Sequence, residues 1–177
     1  PPLPPEGERQ AEAVGERLAL AEPITAIYVT TLRRTHQTAA PLAARLGLEP
    51  VVERELREVH LGEWEGGGLR TRAAAGDPIF LDVVASERWD RIPGAEPLAD
   101  FDARLQVGLG RIVGAHPDET VVAVVHGGVI GQLLAHAVGR PGFAFAGADN
   151  ASVSELVVHA DGRQVLRRFN DTAHLHG

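Results

Sequence analysis

Apolar residues recur along this chain at two alternating spacings. Runs rich in β-branched side chains at 24–31, Val51-Val52 and 121–125 read as strands. Between and after them, apolar residues return every three or four positions, the spacing of one helix face. Val14 and Leu18 mark a helix over about 6–21, and Thr38, Leu42 and Leu46 mark one over 33–46. Leu98, Phe101, Leu105, Leu109 and Ile112 predict a third over 96–114, and Val129, Ile130, Leu133, Leu134, Ala137 and Val138 a fourth. Proline suits a helix start, so Pro4 and Pro5 open the first helix, while Pro23 follows its end and Gly47 is placed to cap the second. Late in the chain, 152–159 and 164–169 read as a strand pair turned at Asp161-Gly162. Residues 62–78, centred on Gly66-Gly67-Gly68, read as a loop or mobile lid. The order predicts one α/β domain, a three-layer sandwich with a mostly parallel central sheet flanked by helices.

This pattern places chemistry at strand ends. Val121 to Val125 run straight into His126-Gly127-Gly128, so His126 sits at the carboxyl end of a parallel strand, where such sheets bind ligands. The bare amides of two glycines at a helix start suit an anion. A strand ending in a polar residue and glycine can equally be an ordinary turn. Arg33 and Arg34 open the helix after 24–31, although a helix N-terminus disfavours cations, and an arginine there can fork onto two phosphate oxygens. The alternative is a solvated helix start. Glu58, Glu63 and Glu65 surround a glycine-rich turn and Trp64. A desolvated carboxyl can act as a general acid, but most glutamates are surface charges, and residue physics alone does not choose among these three. His174-Leu175-His176 reads as a frayed terminus rather than a metal pair, and His36, His60, His116, His136 and His159 receive no chemistry.

Composition narrows the classes. With no cysteine, disulfides and thiolate metal sites are excluded, which fits a cytoplasmic protein. No apolar run reaches the ~20 residues of a membrane helix. A net charge of −7 argues against general nucleic-acid binding and requires a local cationic pocket for any anionic substrate. All 17 basic residues are arginine, a usage that matches a genome-wide bias. The chain also contains no methionine, which predicts further sequence upstream of Pro1.

Taken in order, the segments resemble the histidine phosphatase superfamily, the phosphoglycerate mutase-like clan. The similarity rests on Leu3-Pro4-Pro5-Glu6-Gly7-Glu8-Arg9-Gln10-Ala11, on Thr30 to Ala39, on Leu56-x-Glu58-x-x-x-Gly62-x-Trp64-Glu65-Gly66, and on Val125-His126-Gly127-Gly128. Asn150-Ala151-Ser152-Val153 adds a weaker match. The resemblance implies that Arg34 clamps phosphate and Glu58 donates a proton to the leaving group. It also implies that His126 binds the phosphoryl group and that the Gly127 amide helps hold the same oxygens. The family's nucleophile belongs to an Arg-His-Gly motif on a strand before the segment matching Leu3, and no Arg-His-Gly occurs in this chain. The expected activity is a phosphomonoesterase working through phosphohistidine on a small phosphorylated metabolite, without metal or cofactor. A cofactor-dependent phosphomutase is the alternative, against which only 67 residues separate Glu58 from His126. A non-catalytic pseudophosphatase that binds phosphate is the third reading. A homodimer is left open, and substrate choice is expected to come from 62–78 and the segment near Trp89.

Overall fold

Three strands form a parallel sheet in the order β2 (Val51–Val52), β1 (Ile24–Val29), β3 (Thr120–Val124). The computed structural model describes residues 2–21 and 23–176. The register pairs Tyr28 with both Val51 and Ala123, and Val29 with Val52 and Val124. Because side chains alternate across a strand, β1 feeds two cores. Ile27 and Val29 pack with Ala39, Leu42 and Ala43 of α2 (Arg33–Leu46), joined at the margin by Leu18 and Ala19 of α1 (Pro5–Ala19). Tyr28 turns to the opposite core, built from Phe101, Leu105 and Ile112 of α5 (Leu98–Ala115), Val129 of α6 (Gly127–Ala137), and Leu56 and Val59. Helices therefore flank the parallel sheet on both sides, and the three layers follow from the apolar spacing.

The helix boundaries follow their punctuation. Pro5 occupies the first turn of α1, and Gly47 ends α2 in the left-handed conformation. The late strand pair is β4 (Val153–Val158) with β5 (Gln164–Asp171), antiparallel as expected. It forms a separate two-stranded sheet, beside which α6 packs. Among the described residues β3 pairs on one side only, with β1. Its Val121, Val122 and Val124 stay half-buried and Ala123 is exposed, although this is among the most apolar strands in the chain.

Residues 62–78 are not a loop. They form a kinked 3-10 turn over Gly62–Gly67 and the helix α3 (Gly68–Ala74), followed by α4 (Pro78–Ser86). Their apolar residues collapse into a small core of their own, with Trp64, Val83 and Ile92 buried against Leu61, Leu69, Ile79, Phe80, Trp89 and Phe143. Gly62 is essential to that turn. Its φ is +55°, and a Cβ there would collide with the Pro93 carbonyl. The tail is not frayed either. Within the short 3-10 turn Ala173–Leu175, His174 Nδ1 meets Arg17 Nη1 at 2.7 Å and its Nε2 meets the Ala151 carbonyl at 2.9 Å.

Candidate active site

The three parallel strands deliver the chain to one edge. Thr30 follows β1, His126 follows β3, and Glu58 lies on the segment after β2. Loops at the carboxyl ends of parallel strands are where open α/β sheets hold ligands.

His126 is buried and caps the head of α6. Its Nε2 lies 2.9 Å from Thr30 Oγ1, and its Nδ1 lies 3.2 Å from Arg34 Nη2. Arginine is a donor only, so Nδ1 accepts and the ring proton sits on Nε2, donating to Thr30. The rest of the network agrees with that tautomer. Thr30 Oγ1 also accepts from the Leu32 N–H and lies 3.2 Å from Thr35 Oγ1, which accepts from the Thr30 N–H and donates to the Leu32 carbonyl at 2.8 Å. Both threonines are buried, so this pair fixes the imidazole from behind. Burial, and then the Arg34 charge, push the His126 pKa down to about 4. The ring is therefore neutral near pH 7, with its lone pair on the same side as Arg34.

Glu58 is half-buried. Its Oε1 accepts from the Val59 N–H at 2.9 Å and its Oε2 from the Gly128 N–H at 3.2 Å, so the carboxyl rests on the first turn of α6. Burial raises its pKa, while the hydrogen bonds from Val59 and Gly128 and the charges of Arg34 and Arg104 oppose that rise. A Cβ at Gly128 would collide with Glu58 Oε1, so only glycine lets the carboxyl approach the helix so closely.

The structure thus brings Arg34, Glu58 and His126 to one edge, with Gly127 in the first position of α6. Gly127 lies where a helix N–H has no partner within the helix. Arg33 is exposed, as are Glu63 and Glu65; the latter accepts from the Leu61 N–H at 2.7 Å. Among the former unassigned histidines, His36 Nε2 meets the Thr30 carbonyl at 2.9 Å, and His116 bridges Tyr28 and Glu119. Sequence reasoning missed the roles of Thr35 and Gly128. The available signals were a hydroxyl at a helix start and a second glycine where one would suffice for the turn. Among the described residues no cluster of three His, Cys, Asp or Glu side chains could hold a metal ion, and no helix is long and apolar enough to cross a membrane.

A helix head, a half-buried arginine and a desolvated carboxyl thus meet at one edge of an α/β sheet. Residues 1–172 match the histidine phosphatase superfamily (branch 1), and the chain belongs to that family. It is 38% identical over 134 residues to phosphoglycerate mutase-like protein 4 of Arabidopsis thaliana, covering 74% of this chain and 58% of that protein. It is 33% identical over 165 residues to glucosyl-3-phosphoglycerate phosphatase of Mycobacterium tuberculosis, covering 86% and 73%. The chain spans only 58% and 65% of the first two curated relatives it matches, the plant protein and one from Yersinia enterocolitica. The solved mycobacterial glucosyl-3-phosphoglycerate phosphatase in complex with inorganic phosphate superposes with a TM-score of 0.82 at 32% identity, over 98% of this chain and 89% of that one. The fold is therefore phosphoglycerate mutase-like, with its parallel sheet flanked by helices.

Proposed function

We propose a phosphomonoesterase activity, acting through a phosphohistidine on a small phosphorylated metabolite, with Arg34, Glu58 and His126 in the catalytic site. The observation that carries this reading is the edge itself: Glu58 rests on the head of α6 beside the His126–Arg34 pair. The mycobacterial relative that binds inorganic phosphate supports the ligand class.

Arg34 binds the phosphoryl oxygens through its guanidinium fork. Once the bound anion draws a proton onto its Nδ1, His126 joins the Gly127 amide in holding the same group, and these donors offset charge on the equatorial oxygens during transfer. The nucleophile that the family resemblance implies is the histidine of an Arg-His-Gly segment, whose strand would pair with the edge of β3 that is unpaired among the described residues. The half-buried valines of β3 and its separation from the β4–β5 pair support this placement. A lone two-stranded sheet is marginal, and a strand inserted beside it would complete its pairing. In the first step the new N–P bond forms as the ester P–O bond breaks, and Glu58 gives its proton to the departing alkoxide. In the second, water attacks phosphorus, the N–P bond breaks, and the Glu58 carboxylate takes the water's proton.

The specific observation favouring a phosphomutase is the 38% identity to the mutase-like plant protein. Against it stands the short span from Glu58 to His126, filled by the small core around Trp64. Hydrolysis of an aryl phosphate by the complete protein should persist in the presence of a chelator. Glu58→Gln should depress kcat/KM for esters with poor leaving groups by about 100-fold or more, the range for loss of a general acid, and spare it for good ones, because kcat/KM reports the phosphorylation step and not the later attack of water. Equal loss for both would remove Glu58 from the acid role.

A further inference from the structure

Glu58 is directed by a side chain far from its own in sequence. Arg104, on α5, places its guanidinium behind the acid-bearing segment. Nη1 donates to the carbonyls of Glu55 at 2.5 Å and Arg57 at 2.8 Å, and Nη2 donates to the Glu58 carbonyl at 3.0 Å. Nε and Nη2 donate to the two carboxylate oxygens of Glu96 at 2.6 and 2.9 Å. A guanidinium has five N–H donors in one plane, and these five bonds match that capacity. Glu96 in turn clasps the far end of the same segment: its Oε2 accepts from the His60 N–H at 3.2 Å, and its own N–H donates to the His60 carbonyl at 2.9 Å. Both side chains of the pair are only 10% exposed.

An ion pair serving stability alone does not need three consecutive-loop carbonyls aimed at one cation. A planar fork gripping residues 55, 57 and 58 fixes the backbone on either side of the Glu58 Cα, and with it the direction in which the side chain leaves. That direction is what sets the carboxyl on the Gly128 N–H. α5 can approach this closely because Gly108 presents no side chain: a Cβ there would lie 3.1 Å from the Glu55 Cβ and 3.2 Å from Leu56 Cδ2. We propose that Arg104 and Glu96 form a positioning pair that orients the Glu58 side chain for proton transfer to the leaving group. This rests on the reading of Glu58 as the proton donor.

The pair also sets the field behind the acid. Arg34 from α2 and Arg104 from α5 bear on Glu58, His126 stands beside Arg34 at the head of α6, and Glu96 and His60 flank Arg104. Arg57 lies 3.9 Å from Glu96. Removing the Arg104 charge relieves a force that holds the Glu58 pKa down, so the pKa rises and the alkaline limb of activity moves to higher pH. Removing the Glu96 charge leaves Arg104 unopposed, so the pKa falls and the limb moves to lower pH. A purely structural role would not give shifts of opposite sign.

The test compares Glu58→Gln, Arg104→Lys, Arg104→Gln and Glu96→Gln with the unmodified complete protein. Glu58 titration is followed by carbon NMR, assigned as the glutamate resonance lost in Glu58→Gln. In parallel, kcat and KM are measured for aryl phosphates of graded leaving-group acidity. Arg104→Lys keeps a charge but has three donors on one atom, so it should lower kcat for poor leaving groups by about 10- to 100-fold, part of the general-acid effect, with KM nearly unchanged. Arg104→Gln should move the Glu58 titration up and Glu96→Gln should move it down. Should Arg104→Gln fail to fold, Arg104→Lys and Glu96→Gln carry the same decision. An unmoved Glu58 titration, or equal losses of kcat/KM for good and poor leaving groups, overturns the positioning role while kcat/KM of Glu58→Gln still discriminates between leaving groups. If Glu58→Gln does not discriminate, the donor reading falls and the proposal falls with it.

Discussion

At the proposed site, the identity of one His126 ring nitrogen would govern anion binding. With Nε2–H committed to Thr30, Nδ1 is a lone pair facing the Arg34 guanidinium. A lone pair cannot donate to an oxyanion. An incoming anion must therefore either draw Arg34 away or be matched by protonation of Nδ1, and its negative charge favours the second. The free ring has its pKa pushed down to about 4, so it is neutral at pH 6, and an adjacent dianion raises that pKa. The sign is thus proton uptake on binding. Calorimetry of sulfate binding at pH 6, repeated in buffers of different ionisation enthalpy, should show net proton uptake that is reduced in His126→Gln. Sulfate has no titrating group in this range, so no buffer dependence in either protein would refute the scheme. His126 and Arg34 are singled out in the sequence because each follows a strand, whereas Glu58 is separated from Glu63 and Glu65 only by the family resemblance; the structure brings these three to one edge. Arg104 and Glu96 are not legible in the sequence. Eight residues apart on a helix and its approach, they have the spacing of ordinary surface charges, and only burial against the Glu58 segment distinguishes them.

At the scale of elements, α6 carries a conflict between helix stability and site geometry. Glycine costs a helix interior about 1 kcal/mol relative to alanine. Gly127 and Gly128 nevertheless open α6, and the second leaves room for Glu58 to reach the helix head. Gly128→Ala should hold or raise the thermal midpoint, while turnover of poor leaving groups falls by about 10-fold or more because the acid is displaced. A variant equally active on such esters would show that the contact is incidental. The segment after Glu58 teaches a related lesson. Gly66-Gly67-Gly68 suggested a loop because local propensity was the only guide there. The structure instead buries Trp64 with Val83 and Ile92, and that burial draws the neighbouring residues into α3 and α4. Tertiary contacts of this kind leave little periodic signal in short segments. α2 and α5, with apolar residues at regular three- and four-residue steps, were legible throughout.

For the whole molecule, two cores on opposite faces of a short parallel sheet hold three loops in register at one edge. The layers could be read from the chain because strand alternation and helix spacing agree over most of its length. The separation of β4–β5 from β3 could not, because strand pairing depends on partners distant in sequence. The chemistry proposed for this edge is transfer of a phosphoryl group through a histidine in two steps, with Glu58 serving both. In Glu58→Gln, an aryl phosphate with a good leaving group should still phosphorylate the complete protein, since departure needs no proton. Water attack should then stall for want of a base. Rapid quenching of that variant with a radiolabelled aryl phosphate should trap a phosphoprotein that is labile in acid and stable in alkali, as a phosphohistidine is. Continued turnover with no such species at any time point would contradict the account.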